Sequence, residues 1–100
     1  MIPDAAVAPI VAACRAEAFD LDAIATAGAI AGSVAIPLVR QLTAQVAVTD
    51  AQAADFVHWG STSQDVIDTA MVLATRRAVA LIDARLGGLT NALLKLADAP

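Results

Sequence analysis

A run of helix-forming residues without proline extends from Gln64 to about Ala97 and dictates a helical fold. The pair Gly87-Gly88 is its weak point, and it costs roughly 1–2 kcal/mol relative to two alanines. Polar residues recur in the run at near seven-residue intervals, so they form a narrow stripe beside a wide apolar surface. A helix on the surface of a soluble domain shows the opposite balance. We therefore predict one continuous helix that other helices cover on several sides.

The composition indicates more apolar surface than this chain can bury by itself. Apolar residues make up 59% of the 100 residues, and the mean hydropathy is +0.71. A chain this short forms at most one small domain, so part of that surface must pack against further chain or other subunits. No segment has the two-residue period of a strand. The sequence predicts an all-α fold, with short helices in residues 1–63 and, in residues 64–100, the start of a long-helix bundle of which the chain is an N-terminal fragment.

Shorter helices are predicted ahead of the long one from helix caps and prolines. Pro9 suits a first helical turn, Asp20 or Asp22 can cap a second helix, and Pro37 suits the start of a third. Asp50, after Thr49, is expected to cap a short turn. The predicted ranges are 9–18, 20 or 22 to 29, 37–46 and 49–55.

Charge and cysteine content exclude several classes of protein. The net charge is −4 and the only basic pair is Arg76-Arg77, so the chain has no patch for neutralising nucleic-acid phosphates. The single cysteine, Cys14, cannot form an internal disulfide, and no Cys/His spacing suits zinc. The longest uncharged segment, residues 23–39, is too short to span a membrane and contains Pro37. We expect a cytoplasmic protein that binds no metal, nucleic acid or membrane.

Residues 56–69 concentrate the polar chemistry of the chain. They include the only histidine, the only tryptophan, three successive hydroxyl residues and two aspartates. A capping box fits the hydroxyls in two registers, Ser61 with Gln64 or Thr62 with Asp65. One hydroxyl suffices for a cap, so the others could form a cradle for a carboxylate or phosphate at the helix N-terminus. The spacing leaves the structural and the binding interpretation open.

The single histidine, His58, is the natural candidate for a general acid or base. Imidazole is the side chain that ordinarily changes its charge near neutral pH. A hydrogen-bonded structural role beside Trp59 is the alternative, because no neighbour in the sequence is certain to orient the ring. The sequence does not decide between the two.

Residues 58–69 read His-Trp-Gly-Ser-Thr-Ser-Gln-Asp-Val-Ile-Asp-Thr. This segment resembles the H-x-G-x-T-S-x-D-x-x-D-T motif of the fumarase/aspartase superfamily. Its Trp and Gln resemble the 3-carboxy-cis,cis-muconate cycloisomerase branch, and residues 31–39 resemble a helix start in the same branch. The Arg-His-Asp motif that adenylosuccinate lyases carry at that helix start is absent. The resemblance extends from about residue 23 to the end of the chain.

The resemblance implies roles for individual residues. Thr62 and Ser63 would bind a substrate carboxylate, with Gln64 beside them. Ser33 would stand at the position of the histidine in the absent motif, and His58 stays a candidate catalytic residue. The acid/base histidine of such enzymes, and the serine of their S-x-x-M-P-x-K-x-N loop, would lie downstream of these 100 residues.

The resemblance further implies an enzyme of aromatic-compound catabolism. It would interconvert 3-carboxy-cis,cis-muconate and 4-carboxymuconolactone, in the protocatechuate branch of the β-ketoadipate pathway. A homotetramer, a di- or tricarboxylate substrate and no cofactor are implied, and these 100 residues alone would be inactive. The alternatives are adenylosuccinate lyase or another lyase of the superfamily, and a non-catalytic helical assembly module.

Overall fold

The computed structural model describes residues 1–99, and every regular element among them is helical. The predicted all-α class is therefore confirmed. A single 3₁₀ turn at Ala16–Ala18 separates the first two α-helices. The α-helices are α1 (Asp4–Ala13), α2 (Leu21–Ala31), α3 (Ala35–Thr49), α4 (Ala51–Ala54) and α5 (Ser63–Ala97).

The first helix differs from its predicted range. It begins at Asp4 rather than Pro9, because Pro3 holds the extended conformation that precedes a helix and its carbonyl accepts a hydrogen bond from the Ala6 amide at 2.9 Å. Pro9 lies inside α1, where it removes one backbone hydrogen-bond donor. The helix ends at Ala13, so the prediction of helix through residue 18 was wrong.

Side-chain hydrogen bonds fix α2 against α3. The Asp20 carboxylate caps α2 by accepting from the Ala23 amide at 2.9 Å. The side chain of Gln41, on α3, accepts from the Asp20 amide at 3.1 Å and donates to the Asp20 carbonyl at 3.4 Å. Gly32 ends α2 in the left-handed conformation (φ 75°), which glycine adopts without strain. The hydrogen bonds and the turn at Gly32 together fix the position of α2 relative to α3.

The core lies among α1, α3 and α4. Its buried members are Ala6, Val46, Ala53 and Ala54. Three of the four are alanines, so the helix backbones can approach closely. Asp50 caps α4 by accepting from the amides of residues 52 and 53 at 3.0 and 2.9 Å, which starts the short helix directly after α3. Ile10, Ala13, Leu42, Phe56 and Val57 pack around this core.

Met1–Ile67 form one compact unit, and a second unit begins at Asp68. Every described residue of this second unit is exposed, including all the large apolar ones. α5 is continuous through Gly87 and Gly88, as expected. Among the described residues, no helix is long and apolar enough to cross a membrane.

Seven of the large apolar residues of α5 follow a seven-residue repeat. Such a repeat aligns side chains along one side of a helix and is typical of helix–helix packing. We call these residues the α5 seam. Its members are Val72, Val79, Leu86 and Leu93, together with Ile82, Leu89 and Leu96.

Candidate functional site

The turn between α4 and α5 holds His58 in an unusual backbone conformation. Its φ of 61° is the only positive value for a non-glycine residue in the described part of the chain, and Gly60 follows at 74°. For a non-glycine residue this conformation costs about 1–3 kcal/mol and persists only when the surroundings enforce it. The turn is closed by a hydrogen bond from the Trp59 amide to the Phe56 carbonyl at 3.2 Å. The rings of Phe56 and Trp59 also pack against each other, with centroids 5.6 Å apart.

The His58 ring is half-buried between two cavities. One cavity, of about 230 Å³, is lined by apolar residues of α1 together with Phe56 and Trp59. The other, of about 250 Å³, lies against α3 and the first residue of α5. The Nε2 atom of His58 is buried and has no hydrogen-bond partner within residues 1–99. Buried polar atoms are normally hydrogen-bonded, so an unpaired one points to a partner outside the described residues, such as a ligand or a water molecule.

Thr62 and Asp65 form the capping box at the start of α5. The Thr62 amide donates to the Asp65 carboxylate at 2.6 Å, and the Asp65 amide donates to the Thr62 hydroxyl at 3.4 Å. Of the two registers that the spacing left open, the structure adopts this one. Ser61 precedes the helix and is exposed.

The second cavity brings together two of the predicted site residues, His58 and Ser63. Ser63 is half-buried. Its hydroxyl has no hydrogen-bond partner among the described residues. Thr62 and Gln64 do not line this cavity, nor does Ser33, whose hydroxyl accepts from the Ala35 amide at 3.3 Å. We call this space the α3–α5 cavity. It is lined by Ala35, Ile36, Val39, Arg40, His58 and Ser63.

Arg40 is the one residue of the α3–α5 cavity with a permanent charge, and the sequence did not single it out as a site residue. Ile36 and Arg40 are four residues apart on α3, with Val39 between them, so all three lie on one side of the helix. That spacing was the available signal. The spacing could be interpreted only with the structure, because this side of α3 lies beside His58 and Ser63, which are distant in sequence.

The α3–α5 cavity is suited to an anion. Arg40 supplies fixed N–H donors, Ser63 a hydroxyl and His58 an imidazole, whereas the lining contains no carboxylate. The remaining wall is apolar. No group of three or more His, Cys, Asp or Glu residues in residues 1–99 has the arrangement of a metal site.

Comparison with known proteins identifies a matching family and several relatives of this chain. A sequence model of the lyase family matches residues 1–99. The 3-carboxy-cis,cis-muconate cycloisomerase of Bradyrhizobium diazoefficiens is 57% identical over 86 residues, which are 86% of this chain and 19% of that protein. A nitrosuccinate lyase of Streptomyces davaonensis is 47% identical over 96 residues, or 96% of this chain and 20% of that protein.

A solved structure has the same fold as this chain. It is the 3-carboxy-cis,cis-muconate lactonizing enzyme of Pseudomonas putida, which superposes with a TM-score of 0.92 at 47% identity. The superposition covers 97% of this chain and 22% of that enzyme. This chain therefore spans about a fifth of the length of the relatives it matches.

Proposed function

This chain belongs to the lyase family, and on that basis we propose that it is part of a 3-carboxy-cis,cis-muconate cycloisomerase. The observation that carries the proposal is the 57% identity to the cycloisomerase of Bradyrhizobium diazoefficiens over 86 residues. The agreement in fold with the lactonizing enzyme of Pseudomonas putida is consistent with it.

The proposed reaction needs hydrogen-bond donors at a substrate carboxylate. In the lactonising direction, a carboxylate oxygen of the muconate adds to a double bond while a carbon takes up a proton. In reverse, a proton alpha to a carboxylate is removed and the lactone oxygen leaves as a carboxylate. Both directions place extra negative charge on the oxygens of an enolate-like intermediate, which positioned donors stabilise. Ser63 is the described hydroxyl best placed for this role, because it lines the α3–α5 cavity without a competing partner.

Thr62 and His58 serve the same site in different ways. Thr62 starts α5 through its capping box and thereby places Ser63 and the free amides of the first helical turn. His58 lines the α3–α5 cavity, and we propose its imidazole as a candidate proton donor or acceptor there. Gln64 and Ser33 are proposed to bind the substrate from outside the α3–α5 cavity, because neither lines it.

The full-length protein is proposed to be a cytoplasmic homotetramer. The α5 seam supports this, because a seven-residue apolar repeat packs against other helices rather than water. This chain spans about a fifth of the length of the relatives it matches. On that ground we propose that a complete site needs further residues besides His58 and Ser63, and that these 100 residues alone are inactive.

The test is a kinetic assay of the full-length protein. Purified enzyme mixed with 3-carboxy-cis,cis-muconate should cause saturable loss of the diene absorbance, with 4-carboxymuconolactone as the product. The 100-residue chain under the same conditions should leave the signal unchanged. Absence of turnover by the full-length protein would contradict the proposed function.

A second candidate follows from the nitrosuccinate lyase of Streptomyces davaonensis, which is 47% identical to this chain. Eliminating nitrite from nitrosuccinate also starts with removal of a proton alpha to a carboxylate, so the same donors would serve. Parallel assays separate the two candidates. Nitrite release from nitrosuccinate, without loss of muconate absorbance, would assign the protein to the second reaction.

A further inference from the structure

Arg40 is an arginine whose charge is not neutralised by its neighbours. It lies on α3, it is exposed, and no carboxylate pairs with it among residues 1–99. An exposed arginine with no partner is common on protein surfaces. Arg40 differs because it borders a cavity that the hydroxyl residue Ser63 and the half-buried His58 also line.

The composition of the α3–α5 cavity gives it a net positive charge. The other lining residues of α3 are apolar, and Ala35 is fully buried with no accessible surface. Because alanine is small, it leaves space between α3 and the start of α5. The cavity volume of about 250 Å³ is several times the share of liquid volume of one water, about 30 Å³. It therefore has room for a carboxylate and part of the carbon chain that bears it.

We infer that Arg40 binds a carboxylate of the substrate in the α3–α5 cavity, together with the hydroxyl of Ser63. This inference rests on the proposed function, to which it adds a named cationic ligand. The guanidinium is planar and presents paired N–H donors, which match the two oxygens of a carboxylate. A substrate with three carboxylates needs such a cation, since hydroxyls and amides do not neutralise its charge.

The experiment compares Arg40→Met and Arg40→Lys with wild type in the full-length enzyme. Methionine keeps the length and apolar contacts of the side chain but removes its charge. We expect Arg40→Met to lower kcat/KM by about ten- to a hundredfold, mostly through a higher KM, with little change in melting temperature. Arg40→Lys should recover part of the loss, because lysine keeps the charge and loses the paired donors.

Arg15→Met is the matched control. Arg15 is exposed between α1 and the 3₁₀ turn, and it does not line the α3–α5 cavity. The control should retain wild-type kcat/KM. Raised salt should weaken substrate binding more in wild type than in Arg40→Met, because ions screen the contact that the variant lacks.

A binding measurement keeps the inference separate from the proposed function. Titration calorimetry with propane-1,2,3-tricarboxylate reports carboxylate binding without turnover. If wild type does not convert the muconate but binds this probe more tightly than Arg40→Met, the proposed function fails and the assignment of Arg40 stands. If Arg40→Met matches wild type in both kcat/KM and probe binding, or if wild type does not bind the probe, the assignment of Arg40 is wrong.

Discussion

Thr62 and Ser63 are adjacent hydroxyl residues whose side chains have different surroundings. The Thr62 hydroxyl accepts a hydrogen bond from the Asp65 amide, and the Asp65 carboxylate binds the Thr62 amide in return. Ser63 lines the α3–α5 cavity together with His58 and Arg40. One hydroxyl therefore stabilises the helix, and its neighbour is available to a ligand.

This difference predicts opposite effects of two conservative substitutions in the full-length enzyme. Thr62→Val removes the cap and should lower the free energy of unfolding by about 0.5–2 kcal/mol. Ser63→Ala should change stability little but lower kcat/KM by about tenfold or more, since a hydrogen bond to a charged group is worth roughly 1.5–3 kcal/mol. Thermal melts and steady-state kinetics on both variants test this. A Ser63→Ala enzyme with normal kcat/KM would show that its hydroxyl does not bind substrate.

At the scale of single residues, the sequence predicted that hydroxyl residues would cap α5, but it did not predict which hydroxyl pairs with which partner. Ser61 and Thr62 each have a suitable partner three residues later, so spacing alone could not choose the capping register. The choice depends on the backbone turn at His58 and Gly60, which leaves Ser61 outside the helix. Arg40 was not singled out for a similar reason, because His58 and Ser63, which line the same cavity, are distant from it in sequence.

At the scale of helices, local capping chemistry predicted where three of the α-helices start. Asp20 and Asp50 cap α2 and α4 as expected, and α5 begins within one residue of its predicted start. The predictions that failed were those that took a proline as the start of a helix: α1 begins before Pro9, and α3 spans Ala35–Thr49 instead of residues 37–46. Pro3 and Pro9 both permit a helical start, and the packing of Ala6 in the core favours the earlier one.

Gly28 illustrates a packing constraint that the sequence did not reveal. It is buried in α2, and an added Cβ atom would lie 2.7 Å from Val34 Cγ1 and 3.0 Å from Val34 Cα. Helix propensity alone favours alanine over glycine by about 1 kcal/mol. Overpacking of this kind typically costs about 1–3 kcal/mol, so the steric term should win.

We therefore predict that Gly28→Ala lowers the stability of this chain, as measured by urea denaturation at a fixed protein concentration. Gly87→Ala is the control, because a Cβ atom there meets nothing within 4 Å and alanine should only improve helix propensity. Adding Val34→Ala to Gly28→Ala should recover part of the loss by removing the Cγ1 contact. Equal or higher stability of Gly28→Ala alone would mean that α2 and Val34 move apart freely.

At the scale of the whole molecule, many of the apolar residues that the chain does not bury lie on α5. From residue 68 onward every described position is exposed, and the large apolar side chains of α5 are among them, with Leu86 and Leu89 each 56% exposed. The sequence predicted that this helix packs against others. It could not show which residues form the contact, because periodicity identifies a side of a helix and not its partner.

The α5 seam predicts that the 100-residue chain associates with itself. A 35-residue helix is about 52 Å long at 1.5 Å per residue, and burying each seam side chain stabilises a complex by up to about 1.5–3 kcal/mol. Light scattering coupled to size exclusion should show a mass above the 10.1 kDa of the monomer that rises with concentration.

Leu86→Lys should shift the chain toward monomer, because it places a charge in the seam. Ala84→Lys introduces the same side chain on the opposite side of α5 and should leave the mass nearly unchanged. A well-folded monomer at all concentrations, or equal effects of the two lysines, would exclude the seam as the contact surface.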